Sequence, residues 1–311
     1  MEQLLSLLKT IPEYAAMVSS LQGGESVAVT GIGQINRSHM IAGLCRSISR
    51  PMVVLCQDDL AARRLQEELK GFLSDTAPIL PGRDLTLYDA AVVSRSWEQK
   101  RLRQLYDLAV GKTGLQIMTW ESLSLRTIPK AALLSAAFSL EVGREYAVED
   151  LISRLTAAGY NRCGMVEGPG QFAVRGGILD IFSPAEDRPV RAEFFGDELD
   201  TMGFFDPATQ RRSENITSVT VLPVAETQPG LHPGGVAGLC KDITSLISRQ
   251  KRRKNINEPL IATLEKDLNK YESGLHNPAS DRYMALIYPE MATAADYIPD
   301  GAVVAVCDHG N

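Results

Sequence analysis

The sequence lacks any hydrophobic run that approaches the length of a membrane span. A transmembrane helix needs roughly 18–20 consecutive apolar residues, and every apolar stretch here is far shorter. The N-terminus, MEQLLSLLKTIPEY, has an acidic residue at position two and lacks the basic start and cleavage site of a signal peptide. We therefore expect a cytoplasmic protein without a membrane partner.

Cysteine and histidine are scarce and scattered along the chain. The five cysteines lie far apart and form no C-x-x-C pair, and the four histidines share no metal-like spacing. This pattern argues against a disulfide framework and against a zinc site. It also offers no Ser-His-Asp or Cys-His arrangement for nucleophilic catalysis. We expect thiols that stay reduced, no metal and no catalytic residues.

An excess of positive charge is also absent. The chain has 32 basic and 38 acidic side chains, a net charge of −6, whereas a dedicated DNA-binding domain is usually basic overall. The conspicuous basic run, RQKRRK at Arg249–Lys254, follows the pattern of a helix. It either contacts DNA phosphates or forms a solvated helix face, and the acidic balance favours the solvated face.

Residues 1–135 show alternating strand and helix patterns. Short apolar strands are predicted at Val27–Val29, Met52–Cys56, 77–82 and 115–120, with amphipathic helices between them. Strands that alternate with helices predict a parallel sheet covered on both faces. The fold class expected for this part is therefore α/β.

The pattern changes near Phe138, where short strands separated by glycine and proline predict an antiparallel α+β insert. We divide the chain into residues 1–135 as the first part of an α/β body, 136–226 as the insert, and 227–311 as a return segment. The final apolar run, Ala302–Cys307, is expected to join the same parallel sheet as Val27–Val29. A buried strand so near the end indicates a piece of a longer protein.

A glycine-rich turn after Val27–Val29 matches the layout of a phosphate-binding loop, G-x-x-x-x-G-K-[ST]. The eight residues are Gly31-Ile-Gly33-Gln-Ile-Asn36-Arg37-Ser38. Asn36 replaces the second glycine and tolerates left-handed backbone better than most residues. Arg37 replaces the lysine, and its wide planar fork cannot stand in for a compact ammonium. A vestigial loop is favoured; a working loop and a coincidental turn remain open.

The insert resembles the UvrB-homology module of the bacterial transcription-repair coupling factor family. The resemblance rests on the runs FAVRGGILDIF and RAEFFGDELDTMGFFDPATQR, and LPGRDLTLYDAAVVSRSWEQKRLRQLYDL upstream is similar as well. UvrB itself keeps an intact G-K-T loop and a long aromatic-rich hairpin. Here Asn36 and Arg37 replace that loop, and LPGRDLTLYD runs directly to SRSWEQK without room for the hairpin. Both departures favour the coupling factors.

The resemblance implies a P-loop-NTPase-like body with a degenerate loop and an inserted UvrA-binding domain. It further implies a non-catalytic module that recruits UvrA to stalled RNA polymerase in transcription-coupled nucleotide excision repair. RNA polymerase and DNA would be bound, and ATP and magnesium used, by domains absent from this chain, so no cofactor is expected here. The alternative is a nucleotide-dependent, UvrB-like repair enzyme that uses Gly31–Ser38.

The resemblance also assigns UvrA contact to Arg162 and Arg175, with Phe172 adding apolar area. An arginine pairs with carboxylates through two parallel hydrogen bonds and packs its stem on apolar surface. Alternatively, Arg175 only braces its hairpin through an ion pair with Glu193 or Asp180. For Phe172 a place in the core competes with a place in the interface. The phenylalanines of EFFGDEL, Glu193–Leu199, are expected in the core of a hairpin.

Overall fold

A computed structural model describes residues 2–83 and 96–307, apart from the side chains at positions 2, 34 and 35. The predicted direct connection from LPGRDLTLYD to SRSWEQK therefore lies largely outside the described residues. The helices are α1 (Glu2–Leu8), α2 (Pro12–Gln22), α3 (Gln34–Ser47), α4 (Asp59–Lys70), α5 (Ser96–Ala109), α6 (Trp120–Ser124), α7 (Lys130–Ala136), α8 (Val148–Ala157), α9 (Gly235–Lys251), α10 (Glu258–Glu272) and α11 (Met284–Ile287). The strands are β1 (Met52–Cys56), β2 (Leu115–Thr119), β3 (Phe138–Glu141), β4 (Asn161–Arg162), β5 (Gln171–Arg175), β6 (Ile178–Ile181), β7 (Val190–Phe195), β8 (Glu198–Phe205), β9 (Arg212–Asn215), β10 (Ser218–Val221) and β11 (Val303–Val306).

A three-stranded parallel sheet with the order β11-β1-β2 confirms the predicted parallel α/β architecture of the N-terminal residues. All five side chains of β1 are buried, as expected for a central strand covered on both faces. One face packs on a core cluster that includes Leu8, Ile41, Leu65 and Leu69 from the flanking helices. The Asp58 side chain caps α4 by accepting a hydrogen bond from the Ala61 backbone N–H.

Two predicted strands do not form in this sheet. Val27–Val29 has no ladder partner among the described residues, and its two valines are 38% and 50% exposed. Within 77–82 a single bridge joins Ile79 to Ile117. Apolar alternation alone does not make a strand, because the backbone groups also need a neighbouring strand to bond. The C-terminal run does pair as predicted with the parallel sheet, but its partner is β1.

The insert contains a six-stranded sheet with the order β4-β5-β6-β7-β8-β9. The β4–β5 pair is parallel and every later pair is antiparallel. A separate antiparallel pair joins β10 to β3. The apolar face of the large sheet packs with α8 and with β3 and β10 in one core cluster, which includes Leu151, Leu155, Leu179 and Met202. The predicted α+β character is therefore present.

The chain forms two compact units, one of residues 1–82, 104–125 and 293–311, the other of residues 83–103 and 126–292. Helices α9 and α10 thus belong to the same unit as the six-stranded sheet. The three-part division at residues 135 and 226 remains a prediction about domains. No helix within residues 2–83 and 96–307 has both the length and the apolar character to span a bilayer.

A buried ionic cluster lies within the second unit, and we call it the Glu226 cluster. Its members are Arg83, Arg101, Glu226 and Asp281, all with side chains at most 4% exposed. Arg101 Nε lies 3.0 Å from Glu226 Oε1, and Arg83 Nε lies 3.6 Å from Glu226 Oε2. Arg83 also donates to Asp281 Oδ1 at 2.6 Å, and the Thr127 hydroxyl donates to Glu226. These contacts join five separate stretches of sequence.

Candidate protein-binding face

The six-stranded sheet has one apolar face and one polar face, because successive side chains of a strand point to opposite sides. Phe172, Leu179 and Ala192 share the apolar face that packs on α8. The opposite side carries Arg175, Asp180, Arg191 and Glu193 in adjacent register positions, and we call it the polar face.

A completely buried carboxylate organises the polar face. Arg191 grips Asp180 with two hydrogen bonds, Nε to Oδ1 at 2.7 Å and Nη2 to Oδ2 at 2.9 Å. Arg175 adds a third, from Nη2 to Oδ2 at 2.7 Å. Since Asp180 is 0% exposed while Arg175 is 48% exposed, the buried charge anchors an arginine that still reaches solvent.

Arg191 is itself held from three sides. Its guanidinium stacks over Phe205, 4.6 Å from the ring centroid, and donates to the backbone and side-chain oxygens of Gln210 at 3.2 Å. Gln210 is the one non-glycine with positive φ, +60°, among the described residues. The hydrogen bond to Asp180 raises the pKa of Arg191 above its ordinary value. Arg191 therefore remains charged and positions Asp180 for Arg175.

The three predicted contact residues do not share one surface. Arg175 lies on the polar face. Arg162 lies on the exposed edge strand β4 and pairs in register with Phe172, so it projects toward the other face of the sheet. Phe172 is 0% exposed within the α8 core. This corrects the expectation that Phe172 contacts a partner. Phe172 belongs to the core, because its side chain lies on the apolar face.

The hairpin tip between β7 and β8 presents an aromatic side chain that the sequence argument assigned to the core. Phe195 is 83% exposed, whereas its neighbour Phe194 packs partly against the apolar core. Strand alternation places Phe195 on the polar face with Glu193 and Arg175. The signal was present in the sequence, because the two-residue turn Gly196-Asp197 puts Phe195 at the end of its strand.

The turn of the β5–β6 hairpin lies close to the tip of the β7–β8 hairpin and is hydrogen-bonded to it. The Phe194 N–H donates to Gly177 O at 2.7 Å. A Cβ atom on Gly177 would lie 2.8 Å from Phe194 O, so this close approach requires glycine. The turn that follows Arg175 and the tip that carries Phe195 are thus held in a fixed relation.

The geometry predicts that removing each of the two arginines that bind Asp180 lowers the free energy of unfolding by a different amount. Arg191→Ala should lower the free energy of unfolding by roughly 3 kcal/mol, because it removes the two-bond partner of a buried carboxylate. Arg175→Ala should cost about 1 kcal/mol or less, since Asp180 keeps Arg191 and Arg175 is half exposed. Urea unfolding of both variants measures the difference. Equal losses would contradict this division of roles.

The phosphate-loop residues adopt a different geometry from the one expected. Gly31 has φ +79°, which favours glycine, but α3 already begins at Gln34. Asn36 lies in the first helical turn, with its N–H bonded to Gly33 O at 2.9 Å. Asn36 is therefore helical and does not use the left-handed backbone that asparagine tolerates, because α3 begins two residues before it.

The space beside this loop is small. Arg37 lines a cavity of about 30 Å³ together with Arg64, Glu68 and two cysteines at the strand ends. Ligand pockets usually measure ~300–1,000 Å³, so this cavity has room for about one water molecule. Ser38 is 2% exposed, and Gly33 has open space where a Cβ would be.

The basic run ends α9 and continues beyond it. Arg249 and Lys251 occupy the last helical turn, where positive charge complements the helix dipole. The five basic side chains of Arg249–Lys254 are exposed, and Lys251 pairs with Glu265 at 2.8 Å. This exposure fits a solvated face, and DNA contact by the run remains untested.

The chain is similar in sequence to several known proteins. Residues 138–226 match the family described as UvrB interaction domain. A transcription-repair-coupling factor of Myxococcus xanthus is 32% identical over 221 residues, 68% of this chain and 18% of that protein. The Bacillus subtilis (strain 168) transcription-repair-coupling factor is 24% identical over 308 residues, 98% of this chain and 26% of that protein. That of Escherichia coli (strain K12) is 26% identical over 216 residues, 70% and 19% respectively.

The chain thus spans about a fifth to a quarter of the curated relatives it matches. The matched domain contains the whole six-stranded sheet, with its polar face and both hairpin tips. The chain is a relative of the transcription-repair-coupling factors and carries a UvrB interaction domain at residues 138–226.

Proposed function

We propose that this chain is a non-catalytic docking module that recruits UvrA to sites of stalled RNA polymerase in transcription-coupled nucleotide excision repair. The observation that carries the proposal is the polar face of the UvrB interaction domain. There a half-exposed Arg175 and an exposed Phe195 stand on a sheet braced by the buried Asp180–Arg191 pair.

Arginine and aromatic side chains are the residue types that most often dominate the energy of a protein interface. Arg175 is pre-oriented by its bond to Asp180 at 2.7 Å, so it loses less conformational freedom on binding than a mobile surface arginine. Phe195 adds apolar area at a rigid tip. Arg162, exposed on the edge strand β4, would contribute from the side of the sheet.

The remaining activities of the coupling factors would belong to a longer protein. The name of the relatives refers to coupling of transcription with repair, and this chain covers 26% or less of the three relatives described above. Binding of RNA polymerase and DNA, and use of ATP and magnesium by a translocase motor, are therefore proposed for regions other than these residues. We place the docking module in the cytoplasm.

The test of the function is calorimetric titration of this chain with UvrA from the same organism. We expect saturable binding that the isolated chain supports without ATP. Absence of binding at concentrations up to about 100 μM, equivalent to less than ~6 kcal/mol of binding free energy, would overturn the proposal.

The competing proposal is a nucleotide-dependent repair enzyme that uses Gly31–Ser38. The early start of α3 at Gln34 and the cavity of only about 30 Å³ beside Arg37 favour a vestigial loop. A P-loop-NTPase-like ancestry of the first unit remains part of the proposal, supported by its parallel sheet. Mg²⁺-dependent ATP binding at micromolar concentration would favour the enzyme instead.

Restoring the lysine alone should not restore ATP hydrolysis. In Arg37→Lys, helix α3 should still begin at Gln34 and Asn36 still replaces glycine. No strand in the sequence ends in the Asp-Glu pair that would position magnesium and water. Phosphate release assayed with and without Mg²⁺ measures the outcome. Turnover above that of the wild-type chain would show that the loop is less degenerate than its geometry indicates.

A further inference from the structure

Two cysteines lie side by side where β1 and β11 end. Leu55 pairs with Val306 in parallel register, and the Cys307 N–H donates to Leu55 O at 2.9 Å. The next pair along the two strands is therefore Cys56 and Cys307. Both belong to the same core cluster, so both side chains lie on one face of the sheet.

The spacing of neighbouring strands suits a disulfide. Adjacent strands lie roughly 4.7–4.9 Å apart, and disulfides bridge Cα atoms separated by about 4.4–6.8 Å. Since Cys56 and Cys307 occupy opposed positions on neighbouring strands, the separation of their Cα atoms suits a bond between their Sγ atoms. Both are present as thiols in this structure.

The cavity beside the strand ends gives a small reagent access to these thiols. It has a volume of about 30 Å³ and is lined by both cysteines, by Arg37 and Arg64, and by Glu68. That volume holds about one water molecule, and hydrogen peroxide is only slightly larger.

The other three cysteines are less buried than Cys56 and Cys307, and they differ from this pair in having no cysteine on a neighbouring strand. Burial raises the pKa of the Cys45 thiol to about 11. Burial also raises the pKa values of the Cys163 and Cys240 thiols. None of these three residues occupies a strand position beside another cysteine. They therefore serve as internal references within the same chain.

We propose that Cys56 and Cys307 form a redox-modification site, which a small peroxide converts into a disulfide that joins β1 to β11. The Cys307 side chain, the more exposed of the two at 9% against 2%, reacts first. Its thiolate sulfur attacks one peroxide oxygen, the O–O bond breaks, and a sulfenic acid forms while the released hydroxide takes a proton to leave as water.

Cys56 completes the reaction. Its sulfur attacks the sulfenic sulfur of Cys307, the S–O bond breaks, the S–S bond forms, and a second water leaves. The two sulfur atoms together lose two electrons, and the peroxide gains them. The product covalently fastens β11 to the central strand of the parallel sheet, so it should resist separation of these strands.

The experiment treats the reduced chain with a stoichiometric amount of hydrogen peroxide, blocks remaining thiols with iodoacetamide and maps peptides without reduction. We expect a Cys56–Cys307 cross-linked peptide that forms at least about tenfold faster than any modification of the other three cysteines. The oxidised chain should unfold at a temperature at least about 4 °C higher, and a reductant should reverse the shift.

Cys45→Ala is the matched control and should leave the cross-link intact, whereas Cys56→Ala and Cys307→Ala should each abolish it. Circular dichroism of each variant checks that the fold persists. The mapping of the wild-type chain decides the proposal even if a variant fails to fold. Oxidation of the pair no faster than that of Cys45, or disulfides only between different molecules, would overturn it.

Discussion

Glu226→Ala should lower the free energy of unfolding by about 3–5 kcal/mol, the cost expected when one partner of a buried ion pair is removed. Glu226 is completely buried, with Arg101 Nε at 3.0 Å and Arg83 Nε at 3.6 Å from its carboxylate oxygens. Alanine removes the negative charge that faces both guanidinium groups. Chemical unfolding followed by far-UV circular dichroism measures the loss.

An exposed ion pair in the same unit supplies the control for this prediction. Glu214 accepts a hydrogen bond from Arg188 at 2.8 Å, but the two side chains are 64% and 47% exposed. Glu214→Ala should therefore cost less than about 1 kcal/mol. If both alanine variants lose the same stability, the Glu226 cluster does not hold the second unit together.

Loss of either polar-face anchor should weaken UvrA binding by at least ~2 kcal/mol, or about 30-fold in Kd. The variants are Arg175→Ala and Phe195→Ala. The first substitution removes a charged group from the end of β5 on the polar face, and the second removes apolar area from the tip of the β7–β8 hairpin. Titration of UvrA into each variant measures the affinity. Arg162→Ala should act in the same direction with a smaller effect.

Two exposed residues away from the polar face serve as matched controls. Met291 is 76% exposed and Arg252 is exposed at the end of α9. Met291→Ala and Arg252→Ala should leave the affinity for UvrA unchanged. Normal binding by both polar-face variants, with binding by the wild-type chain intact, would show that UvrA uses another surface.

Stability measured on the same proteins separates binding from bracing. Arg175→Ala should keep its unfolding free energy within about 1 kcal/mol of the wild-type value, because Asp180 retains Arg191. A variant that unfolds much more easily but binds UvrA normally would make Arg175 a bracing residue. Arg175 both pairs with Asp180 and reaches solvent. Its effect on UvrA binding should therefore be larger than its effect on the free energy of unfolding.

Several local elements and the relatives of the chain could be predicted from the sequence. Apolar runs bounded by caps predicted β1, β2 and α4, since a buried strand and an amphipathic helix each leave a distinct periodicity. Helix α4 begins after Asp58, whose side chain accepts a hydrogen bond from the Ala61 backbone N–H. The runs FAVRGGILDIF and RAEFFGDELDTMGFFDPATQR carried the family resemblance.

Which side chains reach solvent depends on the tertiary structure. The same alternation places Phe172 in the core and Phe195 in solvent, and the difference arises because α8 packs on the face that carries Phe172. Val27–Val29 has a strand-like pattern without a partner strand among the described residues, so the pattern alone could not predict whether a strand forms there. Long-range pairing set these outcomes, because burial and backbone hydrogen bonding depend on residues far away in the chain.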